Sequence, residues 1–134
     1  MSTQDNIKTV KEFFAAADQG DERRLLAVCA EDIEWIIPGD WAWAGTHRGH
    51  AGVIDFLHAA SETVEMTTSE RREFVAQGER VVVLGVAGGR IKATNKNFED
   101  QFVFSMIVQD GRVRHIQEYV DTLALAQASE TVGD

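Results

Sequence analysis

Two apolar-rich runs meet at Asp110-Gly111 in the stretch Asn97 to Asp121, NFEDQFVFSMIVQDGRVRHIQEYVD, and their pairing constrains the fold more than any other feature. Asp-Gly between alternating apolar residues is a strong short-range hairpin signal. The register matters, because a slip of one residue moves every side chain to the opposite face of the sheet. If Gln109-Asp110-Gly111 form a three-residue loop with Gly111 left-handed in a bulge, Val108 faces Arg112 and the even-numbered residues share one side. That side carries Asp100, Phe102, Phe104, Met106, Ile116, Glu118 and Val120, an apolar wall holding two carboxylates. A two-residue loop would instead group Phe102 and Phe104 with Gln117 and Tyr119 and separate Asp100 from Glu118. Glycine in the third loop position favours the first register.

The rest of the chain supplies layers for this hairpin. Ile7, Val10, Phe13, Phe14 and Ala17 recur at helical spacing, predicting a helix over residues 5–18 that ends at Gly20. Asp21 suits the N-cap of a short second helix reaching about Cys29. Ile33 to Ile37 reads as a strand closed by Pro38-Gly39, and GDWAWAGTHRG as a loop. Val53, Phe56, Leu57, Ala60 and Val64 predict a third helix. A polar strand from Glu65 to Ala76, a turn at Gln77-Gly78-Glu79 and a Val-rich strand from Arg80 follow, with Gly85, Gly88 and Gly89 marking a bulge or bend. The expectation is a single α+β domain over residues 1–134, with three N-terminal helices packed on a curved, mainly antiparallel sheet and residues 123–134 as a loosely ordered tail.

Composition narrows the partners. With 13 Lys and Arg against 22 Asp and Glu, the net charge is −9, which argues against nucleic acid or an anionic membrane surface. No apolar run approaches the roughly 20 residues that span a bilayer, and Met1 to Lys8 lacks the pattern of a signal peptide. A single cysteine, Cys29, makes no intramolecular disulfide and fits a reducing cytoplasm.

The order of elements, with GTHRG before the third helix, DGRV in the last turn and EYVDT closing the last strand, resembles the nuclear transport factor 2-like superfamily from about Asn6 to Thr122. It is most similar to the SnoaL-like and ketosteroid-isomerase-related branch. That resemblance implies a cone-shaped fold enclosing a pocket, and a homodimer formed through the outer sheet face, where Tyr119 and Asp121 would lie and where His115 fits interface or surface. In ketosteroid isomerases an aspartate base precedes a proline on the first strand, where this chain has Ile37, and a tyrosine oxyanion donor stands where Phe13 is. Their second donor, an aspartic acid kept neutral by an apolar site, corresponds to Asp100. SnoaL-like cyclases and limonene epoxide hydrolases carry a catalytic aspartate on the last strand at the position of Glu118. The Arg-x-Asp that the hydrolases also need has no counterpart near Gly85 to Gly89, which disfavours epoxide hydrolysis, and the loss of two of three roles disfavours ketosteroid isomerisation.

Under the preferred register Glu118 faces Phe102 and has Asp100 as its diagonal neighbour, roughly 7–8 Å away. Desolvation and like-charge repulsion then hinder ionisation of both, so that one is protonated near neutral pH. Such a pair could supply a base, Glu118, to remove a proton α to a carbonyl, and an acid, Asp100, to stabilise the enolate oxygen. The alternative is that either carboxylate pairs with Arg114, Arg90 or a histidine. Phe13, Trp35, Phe56, Phe102, Phe104 and Ile116 are candidates to bind substrate, and so are Trp41, Trp43 and His47 in the loop before the third helix. Arg48 suits a tie between that loop and a carboxylate. The four histidines show no metal-ligand spacing, and no feature calls for a metal, nucleotide or flavin. The expected function is acid/base catalysis, by isomerisation, cyclisation or elimination, on a small hydrophobic carbonyl compound; the alternative is a non-catalytic binding protein for a small hydrophobic ligand.

Overall fold

The sheet is laid down around β1, whose apolar residues alternate at Ile33, Trp35 and Ile37. In the computed structural model, which describes residues 2–39 and 43–130, the order is α1 (Thr3–Asp18), α2 (Glu22–Ala27), β1 (Cys29–Ile37), β2 (Gly45–Arg48), α3 (Gly49–Thr63), β3 (Val64–Gln77), β4 (Arg80–Ile91), β5 (Lys96–Gln109), β6 (Arg112–Tyr119) and α4 (Thr122–Ala128). Six strands form one open mixed sheet in the order β2-β1-β6-β5-β4-β3. All neighbours are antiparallel except β1 and β6. The α+β cone is as the sequence implies, with α1 to α3 over the concave face.

Local signals explain the helix starts. Ser2 and Asp5 form a capping box at α1, and Asp21 accepts from the Arg24 N–H at α2. Along α1, Val10, Phe13 and Phe14 are buried; Val53 and Phe56 are their counterparts on α3. They meet Ile33, Trp35 and Ile37 of β1, Val81 and Val83 of β4, Met106 and Val108 of β5, and Val113 and Ile116 of β6 in one core.

Three elements differ from expectation. β1 begins at Cys29 because it pairs in parallel with β6, Cys29 opposite Val113, a long-range partnership that local pattern does not announce. Residues 45–48, read as loop, form edge strand β2 against β1. The tail forms helix α4, N-capped by Asp121, with Leu125 and Ala128 buried and Ala128 packed with Val64 and Ile91.

The hairpin register is also corrected. Asp110 and Gly111 both have positive φ, 53° and 75°, and Gln109 pairs with Arg112, so the loop has two residues. Positive φ at both positions is the type I′ geometry that matches strand twist, which Asp-Gly adopts readily. The pairing then shifts between Val108↔Val113 and Ile107↔His115, leaving Arg114 as an extra residue on β6. This bulge restores even-with-even pairing, so Phe104, Met106, Ile116 and Glu118 do share the inner face. The partner of Glu118 is Phe104 and not Phe102, and Asp100, four residues from Phe104 on β5, is not its diagonal neighbour.

Two further bulges aim β3. Against β4 its register shifts between Met66 and Thr68 and again between Arg71 and Glu73. The inward positions therefore run Val64 and Met66, then Ser69 and Arg71, then Phe74 and Ala76, all opposite odd-numbered residues of β4. Without the first shift a strict alternation from Val64 would turn Ser69 and Arg71 to the outer face, and the second shift returns Phe74 and Ala76 to the inner one.

Candidate functional site

Missing side chains on β4 make room for a cavity. Gly85, Ala87 and Gly89 lie on its inner face opposite Phe102, Asp100 and Phe98 of β5. A Cβ at Gly85 would stand 2.4 Å from Phe102 Cζ, and one at Gly89 would stand 2.8 Å from Phe98 Cζ. The two rings thus lie across the glycines, and the small Ala87 leaves Asp100 room between them. These glycines, read from sequence as a bend, also shape the floor of the site.

The cavity has a volume of about 190 Å³. Phe13 and Phe14 of α1, Trp35 of β1, Trp43, and Phe98, Phe102 and Phe104 of β5 form its aromatic wall, with Val120 and Leu125 closing one side. Phe14 and Phe102 each meet Phe104 edge to face, with centroids 5.2 and 5.5 Å apart. Met66, Ser69 and Asp18 are exposed and mark the mouth, together with Arg71.

Asp100 and Glu118 both line this cavity and are 6% and 9% exposed. Trp35 donates its indole N–H to Glu118 Oε1 at 2.9 Å. The Asp121 backbone N–H, at the turn between β6 and α4, donates to Asp100 Oδ1 at 2.6 Å. Among the described residues neither carboxylate has a basic partner: Arg114 pairs with Asp32 at 2.8 Å and Arg90 with Glu65 at 2.7 Å. Burial pushes Glu118 up to about 7, opposed by the Trp35 hydrogen bond and assisted by the negative charge of Asp100. Asp100 is also raised, by burial first; the Asp121 N–H opposes this and the Asp121 carboxylate adds to it. Each carboxylate keeps one oxygen outside these hydrogen bonds, an arrangement that can accept, hold and return a proton beside an apolar ligand.

Of the substrate-binding residues expected from sequence, Phe13, Trp35, Trp43, Phe102 and Phe104 line the cavity, and Trp41 lies outside the described residues. Phe56, His47 and Ile116 do not line it. Phe56 packs behind Trp35, centroids 5.1 Å apart, and His47 stacks on the far side of Phe56 at 4.5 Å, with Nε2 3.1 Å from Trp43 O. Ile116 is fully buried opposite Met106, deeper in the core. Arg48 does tie its strand to a carboxylate, Glu34.

Phe14, Phe98, Leu125 and Arg71 were missed. Phe98 had a signal, since the spacing of Phe98 and Phe102 matches that of Gly85 and Gly89 across the strand pair. Arg71 had none, because its inward direction depends on the bulge between Met66 and Thr68. Among the described residues, no group of three or more His, Cys, Asp or Glu is arranged to hold a metal ion, and no helix is long and apolar enough to cross a membrane.

Residues 10–116 match the SnoaL-like domain family. An NTF2-like protein from Burkholderia xenovorans LB400, known from a crystal structure, is 59% identical and superposes with a TM-score of 0.91, covering 97% of this chain and 99% of that one. TerC, solved co-crystallised with polyporic acid, is 29% identical with a TM-score of 0.84 over 92% of this chain and 97% of its own. An uncharacterised protein of Mycobacterium tuberculosis strain H37Rv is 26% identical over 119 residues, 89% of this chain and 91% of the relative.

Proposed function

This chain belongs to the SnoaL-like domain family, and on that premise we propose that it is a small-molecule enzyme using Glu118 and Asp100 for acid/base chemistry on a hydrophobic carbonyl compound. The observation that carries this reading is the pair of buried carboxylates, without a basic partner among the described residues, in one aromatic-lined cavity. The co-crystallisation of TerC, 29% identical, with polyporic acid supports a small organic ligand.

In this mechanism ionised Glu118 takes a proton from the carbon α to the carbonyl. Neutral Asp100 donates a hydrogen bond to the oxygen as it becomes an enolate, and Glu118 then returns the proton at the same or another carbon. A base near 7 is well matched to neutral pH, being about half ionised there. The productive form has its proton on Asp100. In that form the Trp35 N–H favours the Glu118 anion, while the Asp121 N–H opposes protonation of Asp100.

A panel of aryl ketones and cyclic diketones in deuterated water, followed by NMR for exchange at the α carbon, tests the reading without knowledge of the product. Wild type is expected to accelerate exchange and Glu118→Gln to lose roughly 10²–10⁴-fold. Asp100→Asn, which keeps a donor, should lose less than Asp100→Ala. Absence of exchange in every wild-type reaction, with binding retained, would select the second reading, a ligand-binding protein. That reading is favoured by the hydrogen bonds already holding one oxygen of each carboxylate. The proposal extends to a homodimer through the outer face of the sheet, and to a reducing cytoplasm, which suits a buried thiol, Cys29, pushed up to about 12 by burial.

A further inference from the structure

Arg71 is the one cationic side chain among the described residues lining the cavity. Its guanidinium sits over the ring of Phe14, 5.0 Å from the centroid. It donates to Ser69 Oγ at 3.0 Å and grips Asp18 with both arms, Nη1 to Oδ1 at 3.1 Å and Nη2 to Oδ2. The two partners are unequally held. The Arg71 side chain is 17% exposed and pinned by an aromatic face and a hydroxyl, whereas the Asp18 side chain is 48% exposed at the end of α1. The ion pairs Arg24–Glu12, Arg90–Glu65 and Arg114–Asp32 involve no cavity-lining residue.

Resting on the reading that this cavity receives a small carbonyl compound, we propose that Arg71 selects substrates bearing a carboxylate and holds that group at the mouth, taking the place of Asp18. A guanidinium fork binds a planar two-oxygen anion with two parallel hydrogen bonds, the arrangement Asp18 now satisfies. Displaced Asp18 turns to water, where a half-exposed carboxylate is well solvated. The interior, in contrast, carries the Asp100 and Glu118 pair, whose single negative charge in the reactive form repels an anion. An anionic ligand therefore has one favourable orientation, with its charged end on Arg71 and its apolar body among Phe14, Phe102 and Phe104.

Calorimetric titration of the full chain with 2-naphthoate and its neutral isostere 2-naphthamide tests this. Wild type should bind the acid about tenfold more tightly than the amide, and Arg71→Gln should bring the ratio to about one while leaving amide affinity within about twofold. Asp18→Asn, which weakens the competing partner, should tighten naphthoate several-fold without altering naphthamide. If Arg71→Gln does not fold, Asp18→Asn decides alone, and unchanged naphthoate affinity overturns the proposal. Equal binding of both probes by wild type, or a preference that survives in Arg71→Gln, overturns it while leaving the cavity reading standing. Binding of neither probe overturns both.

Discussion

Burial of Glu118 links stability and chemistry through one proton. Its carboxyl titrates at about 7 in the folded chain against an ordinary value of 4.5, so between those limits the folded state holds a proton that the unfolded state has released. Stability contributed by this group is therefore complete below about pH 4.5, falls as pH rises to about 7, and levels off above. The shift corresponds to about 3 kcal/mol. Urea denaturation at pH 5 and pH 8 should show Glu118→Gln gaining stability relative to wild type at the higher pH; a pH-independent difference would mean that Glu118 does not keep its proton on burial. At this scale the sequence showed the residue types well. Asp100 and Glu118 were legible as two acids among apolar residues of the last strand pair, but their burial and the Trp35 donor, 83 residues away from Glu118 in the chain, appear only in the folded structure.

Strand β4 owes its function to what it lacks. Gly85 accommodates both the Phe102 ring and the bulged strand beside it, since a Cβ there would lie 2.3 Å from Glu70 O and 2.4 Å from Phe102 Cζ. Gly85→Ala should cost about 1–3 kcal/mol, measurable as a lower denaturation midpoint, and should weaken binding of any cavity ligand by displacing Phe102. An unchanged midpoint would mean that the strands part without cost. Element type was legible for α1 and α2, where local periodicity and capping agree, and for α3 and the strands of the last hairpin, where periodicity and turn chemistry carry it. It failed for β2 and α4. The first is four residues of edge strand stabilised by β1, and the second is seven residues that bury Leu125 and Ala128 only once the sheet exists.

Across the whole molecule, the convex side of the sheet leaves Leu84 36% and Tyr119 52% exposed along a shallow groove shared with Val103. Large apolar groups clustered on a sheet face are suited to cover by another surface. The proposed homodimer places a second copy there, and light scattering after size exclusion should give a dimer mass for wild type and a monomer mass for Tyr119→Arg. A monomeric wild type would remove the dimer from the account while leaving the concave site intact.

The sequence by itself determined the α+β class, the position of most elements and the family likeness, because periodicity, turn chemistry and capping act over a few residues, whereas the shared inward face of Asp100 and Glu118 depended on the bulge at Arg114. Tertiary structure decided the register of the last hairpin, the direction of Arg71 and the retreat of Phe56, His47 and Ile116 from the cavity. The physical reason is that a bulge reverses every position beyond it. Three single-residue shifts, at Arg114, near Thr67 and near Arg72, fix which side chains reach the site.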